Sequence, residues 1–182
     1  VARHHGGRLV LCVAQATLSG LPGSPADDLR WLGLDWDEGP IAWEGAGPPG
    51  AIQAAVTGDH ALEITHLVSP YEHRSELATY EQFCRARGWA QPQCILLPAL
   101  APGGSLTRPA SLLAAREQGY LPLAVANDLA RMGWTPWGKR VLLSLDEQAA
   151  RFDPSRLSRA PVRLLPGQLG WLNRRCLAEL DP

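Results

Sequence analysis

Short apolar runs alternate with polar, helix-like segments over the first half of the chain. Such runs, bounded by glycine, proline or polar residues, predict buried strands. They cover Arg8–Ala14, Ile64–Val68 and Cys94–Leu97. The last two flank a helix-like segment, His73–Arg87, and a helix between two strands is typical of a parallel crossover. The pattern therefore predicts an α/β sheet.

Capping signals mark where several helices begin and end. Ser24 followed by Pro25 and two aspartates predicts a helix start, and Gly33 predicts its end. Ser144 and Glu147 have the spacing of a capping box. After a glycine- and proline-rich stretch at 101–110, the remaining segments predict four helices. They are Ser111–Gln118, Leu123–Met132, one that begins after Ser144, and Leu165–Leu180.

A second stretch rich in glycine and proline, Pro40–Gly50, predicts a loop or linker, and we expect a loop over the whole of 40–59. The chain then divides into an α/β region, 1–110, and a mainly helical region, 111–182. The strand pattern also predicts which side chains are buried. They are Leu9, Leu11, Val13, Ile64, Leu67, Ile95 and Leu97.

Composition and charge exclude several classes of protein. The 182 residues, 46% hydrophobic and 19% charged, are typical of one globular domain with at most a small appendage. The formal net charge of -1 gives no general attraction for nucleic acid. Arginines cluster locally, at 151–163 and at Arg174 and Arg175, which indicates either a basic patch or an ordinary solvated surface.

The cysteines and histidines do not indicate a metal site. Cys12, Cys84, Cys94 and Cys176 lack the spacing of a zinc knuckle. The histidines at 60, 66 and 73 do not share one helical face, so we expect no metal. No apolar stretch approaches the ~18 residues of a membrane helix. We therefore expect no membrane association and a cytoplasmic protein with reduced thiols.

Four stretches, taken in order, carry a resemblance to a known family. They are Leu29–Pro40; Ile64–Val68 with His73, Ser75, Gly88 and Trp89; Gly119–Pro122 with Leu129–Trp134; and Phe152–Asp153 with Trp171–Arg174. Together they resemble the catalytic core of glutamyl-tRNA synthetase, a class I enzyme that activates glutamate with ATP and magnesium. The resemblance implies an incomplete Rossmann-like core with a parallel sheet, followed by a helical region like the family's stem-contact region.

The chain departs from the family pattern where the family does its chemistry. It starts beyond the family's first strand and His-Ile-Gly-His-like signature, and Val13–Thr17 lacks the acidic residues of the next strand end. The segment 40–59 stands in place of the acceptor-binding insertion. Ser69–Glu72 replaces an Arg-Gly-Glu-Asp sequence, and 104–109 replaces a lysine-rich mobile loop; the only lysine is Lys139. These changes predict a non-catalytic relative.

The resemblance also places a remnant ligand site, because ligands of open α/β sheets bind at the carboxyl ends of the strands. Its candidate residues are Ser69, Glu72, His73, Ser105, Thr107 and Arg108. We expect no catalytic residue, zinc or bound cofactor.

Three interpretations of function remain open. The chain is a non-catalytic scaffold or regulator, a residual binder of a nucleotide or tRNA, or an enzyme completed by an upstream segment or a partner. Without the family's first strand one sheet edge lacks a neighbour, which predicts a homodimer or a protein partner. Any tRNA binding is expected to be weak.

Overall fold

The computed structural model describes residues 1–14, 24–43, 48–101, 109, 111–134 and 140–180, and for 12–14, 42–43 and 48–51 the backbone alone. The fold is mixed α/β, with two compact units. The larger one comprises Val1–Trp43 and Leu100–Pro182, and the smaller one Glu44–Ala99. The division at residue 110 concerns the family's domains and stays a prediction. No helix in the described ranges is both long and apolar enough to span a bilayer.

The described strands form two separate two-stranded sheets, both parallel. In the larger unit β1 (Val10–Ala14) pairs with β2 (Glu38–Trp43), and α1 (Pro25–Trp31) lies between them in sequence. In the smaller unit β3 (His66–Pro70) pairs with β4 (Gln93–Leu97), joined through α3 (Arg74–Arg87). The predicted strands and the parallel crossover at α3 are confirmed.

Five further helices complete the described part of the chain. They are α2 (Pro48–Ala61), α4 (Leu112–Glu117), α5 (Pro122–Ala130), α6 (Leu145–Arg151) and α7 (Gln168–Leu180). Of these, α4, α5 and α6 begin close to the positions that the sequence predicts. The Ser24 and Ser111 side chains accept hydrogen bonds from backbone amides of the first turn of α1 and α4. Ser144 and Glu147 form the predicted capping box at the start of α6. Short 3-10 helices occur at Arg3–His5, Tyr71–His73 and Pro154–Arg156.

The expected loop at 40–59 is wrong. Strand β2 continues to Trp43, and α2 occupies Pro48–Ala61; residues 44–47 lie outside the described part. Proline is compatible with the first turn of a helix, where its missing amide has no partner to lose. The residues that follow, among them Ile52, Gln53 and Val56, are compatible with a helix. The prolines therefore mark a helix start here and not a loop.

The larger unit has its core between α5, α7 and the end of α1. Its buried cluster comprises Leu32, Ala115, Ala124, Val125, Leu142, Leu169, Leu172 and Cys176. A second cluster pairs Trp134 with Leu143, against Phe152 and Leu157.

One fully buried polar side chain, that of Asn127 on α5, ties this core to the segment before α6. Its amide donates to the carbonyls of Leu123 at 2.8 Å and Leu143 at 2.9 Å. Its oxygen accepts from the Leu143 amide at 2.9 Å.

Strand β2 bulges where it passes β1. Val10 lies opposite Glu38 and Cys12 opposite Ile41, so Gly39 and Pro40 together face Leu11. Gly39 has a φ of 108°, and a Cβ built on it would lie 2.4 Å from the Leu11 carbonyl oxygen. Glycine is required here because the two backbones approach too closely for any side chain, a common situation at bulges.

The smaller unit is centred on α2, α3 and β3. Val56, Tyr80 and Cys84 are buried, with Leu67 and Trp89 packed against them. The Tyr80 hydroxyl donates to the Asp59 carboxylate at 3.0 Å and so links α3 to α2.

The predicted burial of apolar strand residues is confirmed only in part. Ile95 is buried, whereas Leu11, Ile64 and Leu67 are half-buried, and the Val13 side chain lies outside the described part. Leu9 and Leu97 are about 40% exposed, so these two predictions are wrong. Successive strand side chains point to opposite faces, and among the described residues each sheet has only two strands. A sheet of two strands therefore leaves some apolar side chains exposed. A wider sheet with helices packed on both faces would bury them.

The burial of the Asp59 carboxyl predicts a pH dependence of stability. Burial raises the pKa of the Asp59 carboxyl above its usual value, against the opposing effect of the Tyr80 hydrogen bond. The folded chain therefore holds this proton more tightly than the unfolded chain. The resulting stabilisation is complete below the unfolded pKa and is lost as the pH rises through the folded pKa. As the pH is raised from about 4 to about 7, we expect the free energy of unfolding to fall less for Asp59→Asn than for wild type. Urea unfolding followed by circular dichroism measures both.

Glu117→Gln supplies the control, because Glu117 is an exposed carboxyl at the end of α4. Its stability should depend on pH as that of wild type does. An Asp59→Asn variant with the wild-type pH dependence would contradict the role of Asp59.

Candidate functional site

The carboxyl end of β3 runs directly into a tight turn and then into α3. Ser69 and Pro70 are the last strand residues, Tyr71–His73 form a 3-10 turn, and α3 begins at Arg74. Ser69 is half-buried, and its hydroxyl donates a long hydrogen bond of 3.4 Å to the Pro70 carbonyl. Glu72 and His73 are exposed. The structure thus brings three of the predicted site residues to one end of one strand.

His73 forms an ion pair with Glu76, three residues further along. Its Nδ1 lies 2.8 Å from Oε1 of Glu76, a separation that neighbours on one helical face reach easily. The hydrogen bond and charge of Glu76, with the charge of Glu72, raise the pKa of His73. The histidine is therefore protonated over a wider pH range than a free imidazole, and its positive charge is directed at a carboxylate of its own chain.

Arg74 and the neighbouring strand end complete the surroundings. The Arg74 guanidinium lies over the Tyr71 ring, 4.6 Å from its centroid, in a cation–π contact. In the parallel register, Ser69 lies opposite Leu96 and Pro70 opposite Leu97. The end of β4 therefore contributes apolar side chains to this edge, and its leucines carry no hydrogen-bonding group.

These residues do not fit a triphosphate. Anion sites present cations or free backbone amides to the ligand. Here His73 faces Glu76, Arg74 lies over an aromatic ring, and Glu72 adds an exposed carboxylate. Within the described ranges, no group of three or more histidine, cysteine or acidic residues could hold a metal ion. These residues can form hydrogen bonds with a neutral polar group of a partner, or an ion pair with a cationic one.

The remaining predicted site residues lie outside the described part of the chain. They are Ser105, Thr107 and Arg108, so their place in a ligand site stays a prediction. Two participants were missed from the candidate list, Glu76 and Arg74. The spacing of His73 and Glu76 was a usable signal, since residues three apart on a helix are neighbours. Tyr71 and Arg74 have the same spacing, so their contact carried a similar signal.

Comparison with known proteins assigns the family. A family model described as tRNA synthetases class I (E and Q), catalytic domain, matches residues 53–171, which include most of α2, the β3–β4 sheet and most of the helical region. The chain belongs to this family, the class I glutamyl- and glutaminyl-tRNA synthetases. The resemblance seen in the sequence motifs is confirmed.

Curated relatives are much longer than this chain. Glutamate–tRNA ligase 1 of Rubrobacter xylanophilus is 31% identical over 251 residues, which cover 98% of this chain and 58% of the relative. Glutamate–tRNA ligase of Latilactobacillus sakei is 36% identical over 141 residues, covering 71% of this chain and 28% of the relative. The first alignment is longer than the 182 residues available, so that relative has segments inside the matched region that this chain lacks.

Two solved structures share the fold. A glutamate tRNA ligase from Elizabethkingia meningosepticum superposes with a TM-score of 0.62 at 24% identity, and a glutamate-tRNA synthetase from Elizabethkingia anophelis with a TM-score of 0.60 at 26% identity. Each match covers 70% of this chain and 30% of the other. The mixed α/β architecture is therefore that of the family.

Proposed function

We propose that this chain is a glutamyl-tRNA synthetase relative that does not activate glutamate by itself and acts as a scaffold or regulator. The observation that carries the proposal is the charge arrangement at the carboxyl end of β3. Ser69 stands where the resemblance places the family's substrate-binding arginine. Beside it, the positive charge of His73 is directed at Glu76.

Glutamate activation requires positive charge that is available to the reactants. The amino acid carboxylate and the ATP phosphates must come together, and donors and cations must stabilise the charge that develops between them. At this strand end Glu72 is a further exposed carboxylate. Its charge opposes the approach of either anion, and Arg74 is held over Tyr71. The local field therefore does not favour the reaction.

An exchange assay tests the proposal. The purified chain is incubated with ATP, glutamate and labelled pyrophosphate, with and without tRNA, after circular dichroism has shown that it is folded. Loss of one preorganised donor costs about 10²–10³-fold in rate, and the proposal involves the loss of several. We therefore expect exchange at least about 10⁴-fold below that of an active ligase, and not above the blank.

The glutamate–tRNA ligase of Geobacillus stearothermophilus, a relative 34% identical over 139 residues, is the parallel positive control. Clear exchange by the purified chain would overturn the proposal and make it an enzyme. Exchange only after a second protein is added would also overturn the scaffold role, in favour of an enzyme completed by a partner.

Exposed apolar side chains on the β3–β4 sheet support a protein partner or a second copy of the chain. Val68, Leu96 and Leu97 are each between 37% and 43% exposed. Among the described residues each of the two strands pairs only with the other, so each has a free edge, and free edges favour pairing with another chain. A cytoplasmic setting belongs to the same proposal, since Cys84, Cys94 and Cys176 are unpaired.

A further inference from the structure

A cavity of about 250 Å³ lies in the larger unit, where α5 ends and the chain approaches α7. One wall is formed by Arg131 and Met132, directly after α5. The other is formed by residues 162–165 and by Gln168 at the start of α7. Pockets for drug-sized ligands run from roughly 300 to 1,000 Å³. This cavity therefore suits a smaller molecule.

Its lining carries two arginines and no carboxylate. Arg163 is exposed and has no ion pair with the described residues. Arg131 is half-buried, and its Nη2 donates to the neutral Val141 carbonyl at 2.5 Å. Burial lowers the pKa of Arg131, against the opposing effect of Asp128. Arginine stays charged at neutral pH. Arg163 therefore gives the cavity a positive group, whereas the charge of Arg131 is partly offset by Asp128.

Asp128, whose charge acts on Arg131, is not among the residues that line the cavity. Asp128 is fully buried on α5 and accepts a hydrogen bond from the Gln168 side chain at 3.0 Å. This bond fixes Gln168, which does line the cavity. The remaining lining is largely apolar, with Met132, Val162 and Leu165. The cavity thus combines guanidinium groups with aliphatic side chains.

We propose that this cavity binds a small organic anion, whose carboxylate or phosphate contacts Arg163 and Arg131 and whose apolar part packs against Met132, Val162 and Leu165. Guanidinium groups match both oxyanions geometrically, through paired charge-assisted hydrogen bonds. The aliphatic lining favours an anion with a hydrocarbon part over a fully hydrated one. The lining residues are not those at the carboxyl end of β3, and the inference does not depend on the proposed function.

Ligand-observed NMR titration of the full chain tests the site with three probes of similar size. Benzoate presents a carboxylate, phenyl phosphate a phosphate, and benzyl alcohol neither. We expect saturable binding of at least one of the two anions, with a dissociation constant in the millimolar range typical of such small ligands, and no binding of the alcohol. The anion that binds more tightly identifies which oxyanion the site prefers.

Matched variants assign the binding to the cavity. Arg163→Gln should weaken binding at least tenfold, whereas Arg159→Gln, which removes an exposed arginine outside the lining, should leave it unchanged. Leu165→Asp, at an exposed lining position, should weaken binding by introducing a negative charge.

Three results would overturn the inference. The first is the absence of saturable binding of both anions up to about 20 mM, well above the expected range. The second is binding of benzyl alcohol as tight as that of the anions. The third is equal weakening by Arg159→Gln and Arg163→Gln, which would indicate general attraction to a basic surface.

Discussion

Replacing Gly39 by alanine is expected to lower the free energy of unfolding by about 4 kcal/mol, among the larger effects of a single substitution. The new Cβ would lie 2.4 Å from the Leu11 carbonyl oxygen and 3.1 Å from the Ile41 amide nitrogen. Both are backbone atoms, so no side chain can rotate away to relieve the contact. The φ of 108° adds strain for any residue with a side chain. Strand β2 would have to move away from β1.

Gly119→Ala is the matched control for this substitution. Gly119 follows α4 in the same compact unit, also has a positive φ, and has open space around a built Cβ. Its replacement should cost only about 1 kcal/mol, the strain of a left-handed backbone. Urea unfolding followed by tryptophan fluorescence measures both values. Equal losses for the two variants would show that the close approach of β1 and β2 adds nothing to the cost of a side chain at position 39.

Asn127→Ala is expected to destabilise the chain by about 3 kcal/mol, since burying an unsatisfied donor costs 1–3 kcal/mol and the lost volume adds to this. The substitution removes the acceptor of the buried Leu143 amide. The Leu143 carbonyl keeps a second donor, Gln148, at 3.0 Å. The cost therefore comes mainly from one amide and from the space that the side chain leaves.

Asn173→Ala is the natural comparison, because these two positions are the only asparagines of the chain. Asn173 is half-buried and accepts one hydrogen bond, from the Leu121 amide at 2.8 Å. Its loss should cost about 1 kcal/mol, the usual net value of one hydrogen bond. The same chemical denaturation measures both variants. If Asn127→Ala proved no more destabilising than Asn173→Ala, the buried hydrogen bonds of Asn127 would not make a special contribution to the stability of this core.

Features that depend on neighbours in sequence were predictable. The capping box of Ser144 and Glu147 is such a case, since both its hydrogen bonds lie within one turn. The parallel crossover at α3 was predictable as well, because its strands and helix follow one another directly.

Features that depend on partners distant in sequence were not predictable. Nothing in Asn127 itself shows that it meets the Leu143 backbone, and nothing in Gly39 shows that it lies against Leu11. Helix α2 was missed for a different reason. Its proline-rich start has the composition of a loop, and proline also favours the first turn of a helix, so composition alone does not distinguish the two.

The candidate site divides in the same way. Ser69, Glu72 and His73 could be placed because they follow a recognisable strand directly. The ion pair of His73 with Glu76 changes what that strand end can bind; the spacing of the two residues permits it, and the folded chain shows that it forms. The exposure of Leu97 likewise depends on how many strands the sheet contains, which the alternation within one strand does not indicate.

Each compact unit contains a buried cysteine, and the rate at which that cysteine is alkylated measures how often the unit opens locally. Cys84 lies in the smaller unit and Cys176 in the larger, and both side chains are almost inaccessible. Burial raises the pKa of both thiols, so little of the reactive thiolate exists in the closed state. Modification by an alkylating reagent at neutral pH therefore has to wait for the surrounding helices to separate. Peptide mass spectrometry resolves the two labelling rates, so the opening of each unit can be timed independently in the unmodified wild-type chain.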